Sequence, residues 1–314
     1  RIEFYGRSVF LQAGTKGIVP DENFTQSIYV TDDTEENPIF NNTEITFHEE
    51  NGLWYTEDAR WSDRQYRFYA YIRSQGTTPA GTGGGTIEIG EDLTTPGRKS
   101  GTHFTVSQPE SYPENEDAFA DFLLSYPVSA NGADKPLVTL DFERTMACVE
   151  LYMDRTQNNP EVTVTSVRFA EVYKSAVYSL YSHGDGDRNG MKNVWQVTES
   201  GRSDYVFTGE KSLADRDAGE RFDEQYLVMR FLVPDQDLDE KHILTVTYRA
   251  SESAGGSVPA ENTATFALSE YDINTWAYGH KIRYYITIDT GASMEGVVDQ
   301  WRNVDYIEGT FLPD

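Results

Sequence analysis

Oxygen-bearing side chains at alternate positions form the sharpest local signal for chemistry in the sequence. Asp185, Asp187 and Asn189 precede Gly190 in the run DGDRNG, and oxygen ligands at positions 1, 3 and 5 are how a calcium-binding loop begins. Position 12 of such a loop calls for a bidentate glutamate, but this chain has Gln196 there. The same residue types also build an ordinary hairpin tip. Both interpretations stay open, and we predict no metal and no cofactor.

Residue sets typical of an active site do not occur in the sequence. Its five histidines are scattered, and none lies in an HExxH arrangement. The glycine run 81–85 lacks the lysine and hydroxyl residue of a phosphate-binding loop, and no GxSxG motif is present. Carboxylates are neighbours by chance among 52 acidic residues, whereas glycosidase chemistry needs two at a fixed separation in a cleft. Cys148 fits a packed strand residue better than a nucleophile. We therefore predict no catalytic residues and no enzyme activity.

Three aromatic residues, Trp54, Tyr55 and Trp61, cluster near one turn. The apolar faces of such rings can stack on sugars. The alternative interpretation is core packing between sheets. These rings give a second functional hypothesis, a surface adhesin or a glycan-binding β-sandwich module.

Alternation of apolar and polar residues with a period of two dominates the chain. This pattern is typical of strands with one face on a core. It occurs in residues 66–73, 138–142, 147–153, 244–250 and 282–289. Residues 226–233 (YLVMRFLV) are almost continuously apolar, as in a strand that is covered on both faces.

Frequent turn residues between these runs indicate many short strands. We predict an all-β protein of two tandem antiparallel β-sandwich domains, transthyretin-like in character, with at most short helical turns. The domains are residues 1–133 and 134–314, divided near Asn131-Gly132. The polar, glycine-rich interval 76–116 is either a long hairpin connection or part of a linker. The one helical candidate is residues 116–124, for one or two turns.

The composition excludes several classes of protein. The chain has 314 residues, a formal net charge of −26, and 20 Tyr, 16 Phe and 5 Trp. So many aromatic residues argue against disorder, and an acidic surface repels nucleic acid and anionic lipid. A single cysteine excludes an intrachain disulfide.

Several segments follow one another in an order typical of one protein family. Trp54 and then residues 61–71 (WSDRQYRFYAY) look like that family's Trp-turn-FYAY hairpin. Residues 121–124 (DFLL) and 138–144 (VTLDFER) are similar to its entry into a second domain, with Arg144 at the usual histidine position, and residues 164–169 match the strand that usually follows. Later matches are residues 231–236 (FLVPDQ), 244–248 (LTVTY), 276–288 (WAYGHKIRYYITI) and 298–301 (VDQW). Together they resemble the fimbrillin superfamily, the type V pilin and Mfa-like surface proteins of anaerobic Gram-negative bacteria.

The resemblance implies a non-enzymatic pilus subunit. Its partners would be other pilin subunits, with a host or bacterial surface ligand in addition and no nucleic acid. It would be exported to an outer-membrane or cell-surface fimbrium, from a precursor that is lipid-anchored in the outer membrane. In the family, a protease trims an N-terminal strand, often after arginine, and a strand of the next subunit fills the opened groove.

Two segments are the candidates for this exchange. The donor strand is predicted in the C-terminal tail, for which pairing with its own domain is the alternative. The removable strand is predicted at the N-terminus. Arg1 and Arg7 are candidate cleavage points, but Arg60 and other arginines are equally visible by type, and the sequence selects no cleavage site. The candidate residues are Val304, Tyr306, Ile307, Phe311 and Leu312 for the donor strand and Ile2, Phe4, Val9 and Leu11 for the removable strand.

Overall fold

The computed structural model describes residues 2–8, 28–32, 39–74, 83–90, 103–125, 127–155, 161–179, 195–216, 222–250, 261–271, 273–288 and 292–300. Within these ranges the prediction of an all-β fold with only short helical turns is confirmed. The helical elements described are four 3₁₀ turns, Glu116–Ala118, Gly132–Asp134, Glu199–Gly201 and Leu268–Glu270. A search of the same ranges finds no helix long and apolar enough to cross a membrane.

Twenty-two strands make up the described part of the chain. The first ten are β1 (Phe4–Ser8), β2 (Ile28–Asp32), β3 (Thr43–His48), β4 (Leu53–Tyr55), β5 (Gln65–Ser74), β6 (Thr86–Ile89), β7 (His103–Ser107), β8 (Asp121–Ser125), β9 (Val128–Asn131) and β10 (Val138–Arg144). The others are β11 (Ala147–Arg155), β12 (Val162–Tyr173), β13 (Ser175–Ser179), β14 (Trp195–Val197), β15 (Arg202–Ser212), β16 (Leu227–Val233), β17 (Gln236–Asp237), β18 (Ile243–Ala250), β19 (Glu261–Ala267), β20 (Thr275–Trp276), β21 (His280–Ile288) and β22 (Ala292–Gln300).

The first sheet has the strand order β2-β3-β4-β1-β10-β8-β5-β9, and an additional pairing of β2 with β5 closes it on itself. Its interior is one apolar cluster, to which the alternating residues of β5 contribute Tyr66, Phe68, Ala70 and Ile72. The pairing of β1 with β10 is parallel, a departure from the predicted antiparallel arrangement.

The C-terminal half holds two four-stranded sheets, β16-β11-β21-β22 and β15-β12-β18-β19. The two sheets face each other, since the rings of Phe169 in β12 and Phe231 in β16 lie 5.1 Å apart. A second parallel pair, β11 with β21, lies at the centre of the first of these sheets. As predicted for residues 226–233, β16 is covered on both faces. The short strands β17 and β20 pair separately.

A small sheet, β14-β13-β7-β6, links the two halves. The interval 76–116 therefore contains a hairpin, β6–β7, whose second strand pairs with β13 of the C-terminal half. The helix predicted over residues 116–124 is wrong beyond its first turn, because Phe122 and Leu123 lie in β8 and are held by pairing with β5. The domain division at 133/134 stays a prediction. The following strand, β10, pairs with β1 and β8 of the first sheet.

Candidate assembly groove

The N-terminal strand β1 lies between β4 and β10 in the first sheet. It pairs with β10 in parallel over five residues, from Phe4 opposite Val138 to Ser8 opposite Phe142. Its pairing with β4 is antiparallel and consists of the single pair Phe4 and Trp54. The strand is thus hydrogen-bonded along both edges, with most of the pairing on the β10 side.

Backbone hydrogen bonds continue these pairings at the start of the strand. The amide N–H of Ile2 donates to the carbonyl oxygen of Ala59 at 3.2 Å, and the N–H of Val138 donates to the carbonyl of Glu3 at 3.2 Å. The segment before β1 is therefore held by backbone hydrogen bonds at residues 2 and 3 as well.

Two predicted residues of the removable strand, Ile2 and Phe4, are completely buried. The Phe4 ring meets Phe40 and Phe68 edge to face, with centroids 5.4 and 5.3 Å apart. Complete burial of each side chain stabilises the fold by about 1.5–3 kcal/mol. The strand is therefore an integral part of the first core.

The wall beside β1 is formed by β10, whose burial alternates along its length. Val138, Leu140 and Phe142 are buried in the same cluster as Ile2 and Phe4. Removal of β1 would uncover this apolar strip together with the unpaired edges of β4 and β10. An open edge over an apolar groove is a template for an added strand. We call the space between β4 and β10 the β1 groove.

The other predicted site residues give no test of the exchange. Val9 and Leu11 lie outside the described residues, as do Val304, Tyr306, Ile307, Phe311 and Leu312. Among the arginines considered for trimming, Arg7 belongs to β1. Arg60 is exposed, and its guanidinium donates to the carbonyl of Ala59 at 3.0 Å and to that of Glu57. The structure brings Arg60 to the start of β1 but selects no cleavage point.

Two of the aromatic residues considered for glycan stacking are buried. Trp54 packs against Phe47 with ring centroids 4.7 Å apart. Tyr55 stacks on His48 at 3.6 Å and donates its hydroxyl to Glu50 at 2.9 Å. The third, Trp61, is half-buried. The packing interpretation is correct for Trp54 and Tyr55, which offer no ring face to a sugar.

Metal and nucleophile chemistry find no support in the described residues. Asp185, Asp187 and Asn189 lie outside them, and within them no group of three His, Cys, Asp or Glu side chains is placed to hold a metal ion. Burial raises the pKa of the Cys148 thiol to about 12. The thiol is consequently protonated at neutral pH and packs as a small apolar residue.

A buried ion network on β11 escaped the sequence analysis. The Glu150 carboxylate is completely buried and meets Arg230 at 2.7 Å, Arg283 at 3.1 Å and Lys281 at 3.4 Å. Burial alone would raise the pKa of Glu150, but the three cations outweigh it and the pKa is lowered. The period-two pattern of residues 147–153 predicted that position 150 lies on the more solvated face of its strand. The one sequence signal for a buried ion pair was the charged Arg230 inside the apolar run 226–233. The network fills no cleft and holds sheet strands together.

A second buried ion pair lies where β10 passes into β11. Arg144 meets Asp121 at 2.6 Å, and both side chains are buried. The hydroxyl of the next residue, Thr145, donates to the Phe122 carbonyl at 2.7 Å, and the backbone carbonyl of Thr145 accepts a hydrogen bond from the indole N–H of Trp195 at 2.9 Å. The end of β10 is therefore fixed to β8 of the same sheet, and the Trp195 bond links the following residue to β14 of the C-terminal half.

The sequence and the fold were compared with those of known proteins. A family model described as fimbrillin-like matches residues 19–301. A comparison with curated protein sequences finds no match. Among solved structures, a fimbrial protein from Bacteroides vulgatus is similar with a TM-score of 0.56 and 14% identity, over 88% of this chain and 92% of that one. A candidate cell adhesion protein from Bacteroides uniformis is similar with a TM-score of 0.52 and 14% identity, over 96% and 98%. At this identity the two structures support the fold alone.

Proposed function

The chain belongs to the fimbrillin-like family, and from this premise we propose that it is a pilus subunit that assembles by donor-strand insertion after N-terminal trimming. Membership makes it an exported fimbrial or adhesion subunit of the cell surface that associates with other pilin subunits. The proposal adds the means of association: the β1 groove of one subunit takes a strand from the next.

The observation that carries the proposal is the position of β1. It is the first of the described strands, so a cut between it and β2 separates it from the rest of the fold without breaking another described strand. It fills an apolar groove and pairs on both edges. A subunit that loses it has unpaired backbone groups beside an apolar strip, and an inserted strand satisfies both at once.

The remaining parts of the proposal concern anchoring and chemistry. We propose that the precursor is lipid-anchored in the outer membrane and that the subunit has no enzyme activity. Adhesion to a host or bacterial surface is the alternative function, and one subunit can serve both functions. The burial of Trp54 and Tyr55 removes two of the three rings on which the glycan-binding version of that alternative depends.

Limited digestion with an arginine-specific protease tests the proposal. Size-exclusion chromatography and mass spectrometry should show one N-terminal cut followed by higher oligomers. A variant ending at Gln300 is the matched control, because it keeps the groove and lacks the predicted donor. It should be trimmed equally and stay monomeric. A trimmed full-length chain that never oligomerises would refute donor-strand insertion.

The net charge predicts how assembled polymers respond to salt. With −26 on each subunit, contacts between copies are repulsive at long range, so apolar burial and backbone pairing must hold the polymer. Salt shortens the screening length from about 10 Å at 0.1 M to about 3 Å at 1 M. Polymers should therefore persist or strengthen in molar salt when followed by light scattering. Dissolution would indicate that ion pairs hold the subunits together.

A further inference from the structure

The β1 groove sets a pattern that any replacement strand has to match. Ile2, two residues before β1, and Phe4 at its start are completely buried in the first core; positions in the groove are numbered here by the residues of this segment. Positions 6 and 8 pair with Leu140 and Phe142, which are buried in the same core. Paired residues in a sheet share a face, so we expect a strand that replaces β1 in this register to place its even positions on the side of the core. The residues at positions 2, 4, 6 and 8 of this chain are Ile, Phe, Gly and Ser.

The tail after Gln300 offers two faces as a strand. One face carries Val304, Tyr306, Glu308, Thr310 and Leu312, and the charge at Glu308 interrupts it. The other face runs Ile307, Gly309, Phe311, Pro313, four uncharged residues in succession. A buried charge costs far more free energy than a charge on the face away from the core. The second face, which carries no charge in these four positions, is therefore the one that suits a core.

The direction of the strand then decides the fit. Inserted parallel to β10 with Phe311 at position 4, the tail places Gly309 at position 2 and Pro313 at position 6. Inserted antiparallel, it places Phe311 at position 4 and Gly309 at position 6, as in β1, with Ile307 at position 8 beside Phe142. Pro313 then falls at position 2, outside β1, where proline would forgo the hydrogen bond that the Ile2 N–H makes with the Ala59 carbonyl but none of the residue pairs with β10.

Hydrogen bonding favours the same direction. Reversal turns the five-residue ladder with β10 from parallel to antiparallel, and antiparallel pairing is the more stable per residue. The strand on the other side, β4, pairs with β1 through one residue pair only. Reversing the strand therefore changes few hydrogen bonds with β4.

We propose that residues 307–313 of one copy enter the β1 groove of the next antiparallel to β10, with Phe311 in the site that Phe4 occupies. The inference rests on the proposed function and adds the register and direction of the inserted strand. It makes Phe311 the anchor that sits between Phe40 and Phe68. It also places Glu308 opposite Asp141, in the register position that Arg7 has in β1.

Cysteine pairs test the register in assembled polymers of the full chain, trimmed by the arginine-specific protease. Antiparallel insertion sets Thr310 opposite Thr139, because position 5 pairs with Thr139. Such partners have Cα atoms about 4.5–5.5 Å apart, within disulfide reach. The native Cys148 is buried and should not compete. T139C/T310C should give a ladder of covalent oligomers on oxidation. Two further pairs are the controls. T139C/L312C reports parallel insertion with Phe311 at position 4, and T139C/I307C reports parallel insertion with Tyr306 at position 4.

The outcomes separate the two proposals. Polymers that cross-link through L312C or I307C instead of T310C overturn the register and leave donor-strand insertion standing. Polymers that cross-link at none of the three positions overturn the register as well. A trimmed chain that forms no polymer refutes donor-strand insertion and the register with it.

Side-chain variants give a second measurement. Phe311→Ala should speed polymer dissociation on the order of a hundredfold, as expected for losing a buried phenylalanine. Tyr306→Ala is the matched control and should change dissociation little. Glu308→Lys should slow dissociation, because it removes the repulsion with Asp141. The opposite ranking of Phe311→Ala and Tyr306→Ala would contradict the register.

Discussion

Truncation of Phe4 to alanine should loosen the N-terminal strand far more than the rest of the protein. Phe4 is completely buried and its ring touches two other phenylalanines edge to face. Loss of such a side chain costs about 3–5 kcal/mol. Because β1 precedes all the other described strands and pairs with β4 through one residue pair only, this loss should fall on its local detachment. At about 1.4 kcal/mol for each factor of ten, the detached population rises roughly a hundred- to a few-thousand-fold.

Hydrogen exchange followed by mass spectrometry measures this population directly. In the full-length variant, amides of β1 and of the facing edge of β10 should lose protection by that factor. Phe169→Ala is the matched control, since Phe169 is equally buried but lies in β12, in the second core. It should weaken the C-terminal sheets and leave β1 protected. If both variants expose β1 equally, or if Phe4→Ala leaves its protection unchanged, β1 does not detach as a separate unit and the reasoning fails.

Three further predictions concern the scaffold. Glu150→Gln leaves three cations around a neutral amide and should lower the free energy of unfolding, measured in urea, by about 3–5 kcal/mol. An unchanged urea midpoint would show that the ion network does not stabilise the fold. Burial lowers the pKa of His242 from its usual 6.5, so the unfolded chain takes up a proton near that pH before the folded chain does. The stability contributed by His242 is then complete above about pH 6.5 and falls on acidification, and His242→Gln should flatten the change in Tm between about pH 7.5 and 5.5. Gly132→Ala places a Cβ 1.9 Å from the Ser62 carbonyl oxygen and should destabilise the fold strongly. Gly52→Ala meets nothing within 4 Å and strains only its positive φ of 70°, at a cost of about 1–2 kcal/mol. Equal effects of the two variants on Tm would contradict this ranking.

Local pattern was sufficient for several of the longer strands of this fold. The period-two runs in β5, β10, β11, β18 and β21 follow from the alternation of side chains across a sheet. The apolar pattern near residue 116 failed because it was read with a helical period. Phe122 and Leu123 are adjacent residues of β8, one on each core.

Pairing between distant segments could not be read in the same way. The parallel contact of β1 with β10 joins residues more than a hundred positions apart. The partners of Glu150 come from β16 and β21, also far along the chain. Part of the candidate site was nevertheless visible, because Ile2 and Phe4 are spaced as residues on one strand face. Their burial in the first core is what makes that spacing meaningful.

The free energy that holds β1 in place also limits what assembly can gain. A trimmed subunit loses the burial of Ile2 and Phe4 and one neighbour of β10, and an incoming strand recovers free energy at those same positions. Arg144 at the end of β10 is paired with Asp121 of β8, and Thr145 is bonded to Phe122 of β8 and to Trp195 of β14. Because these contacts do not involve β1, we expect β10 to resist moving to cover its own apolar strip after trimming. Under the proposed donor-strand insertion, this resistance would preserve the driving force until a strand fills the groove.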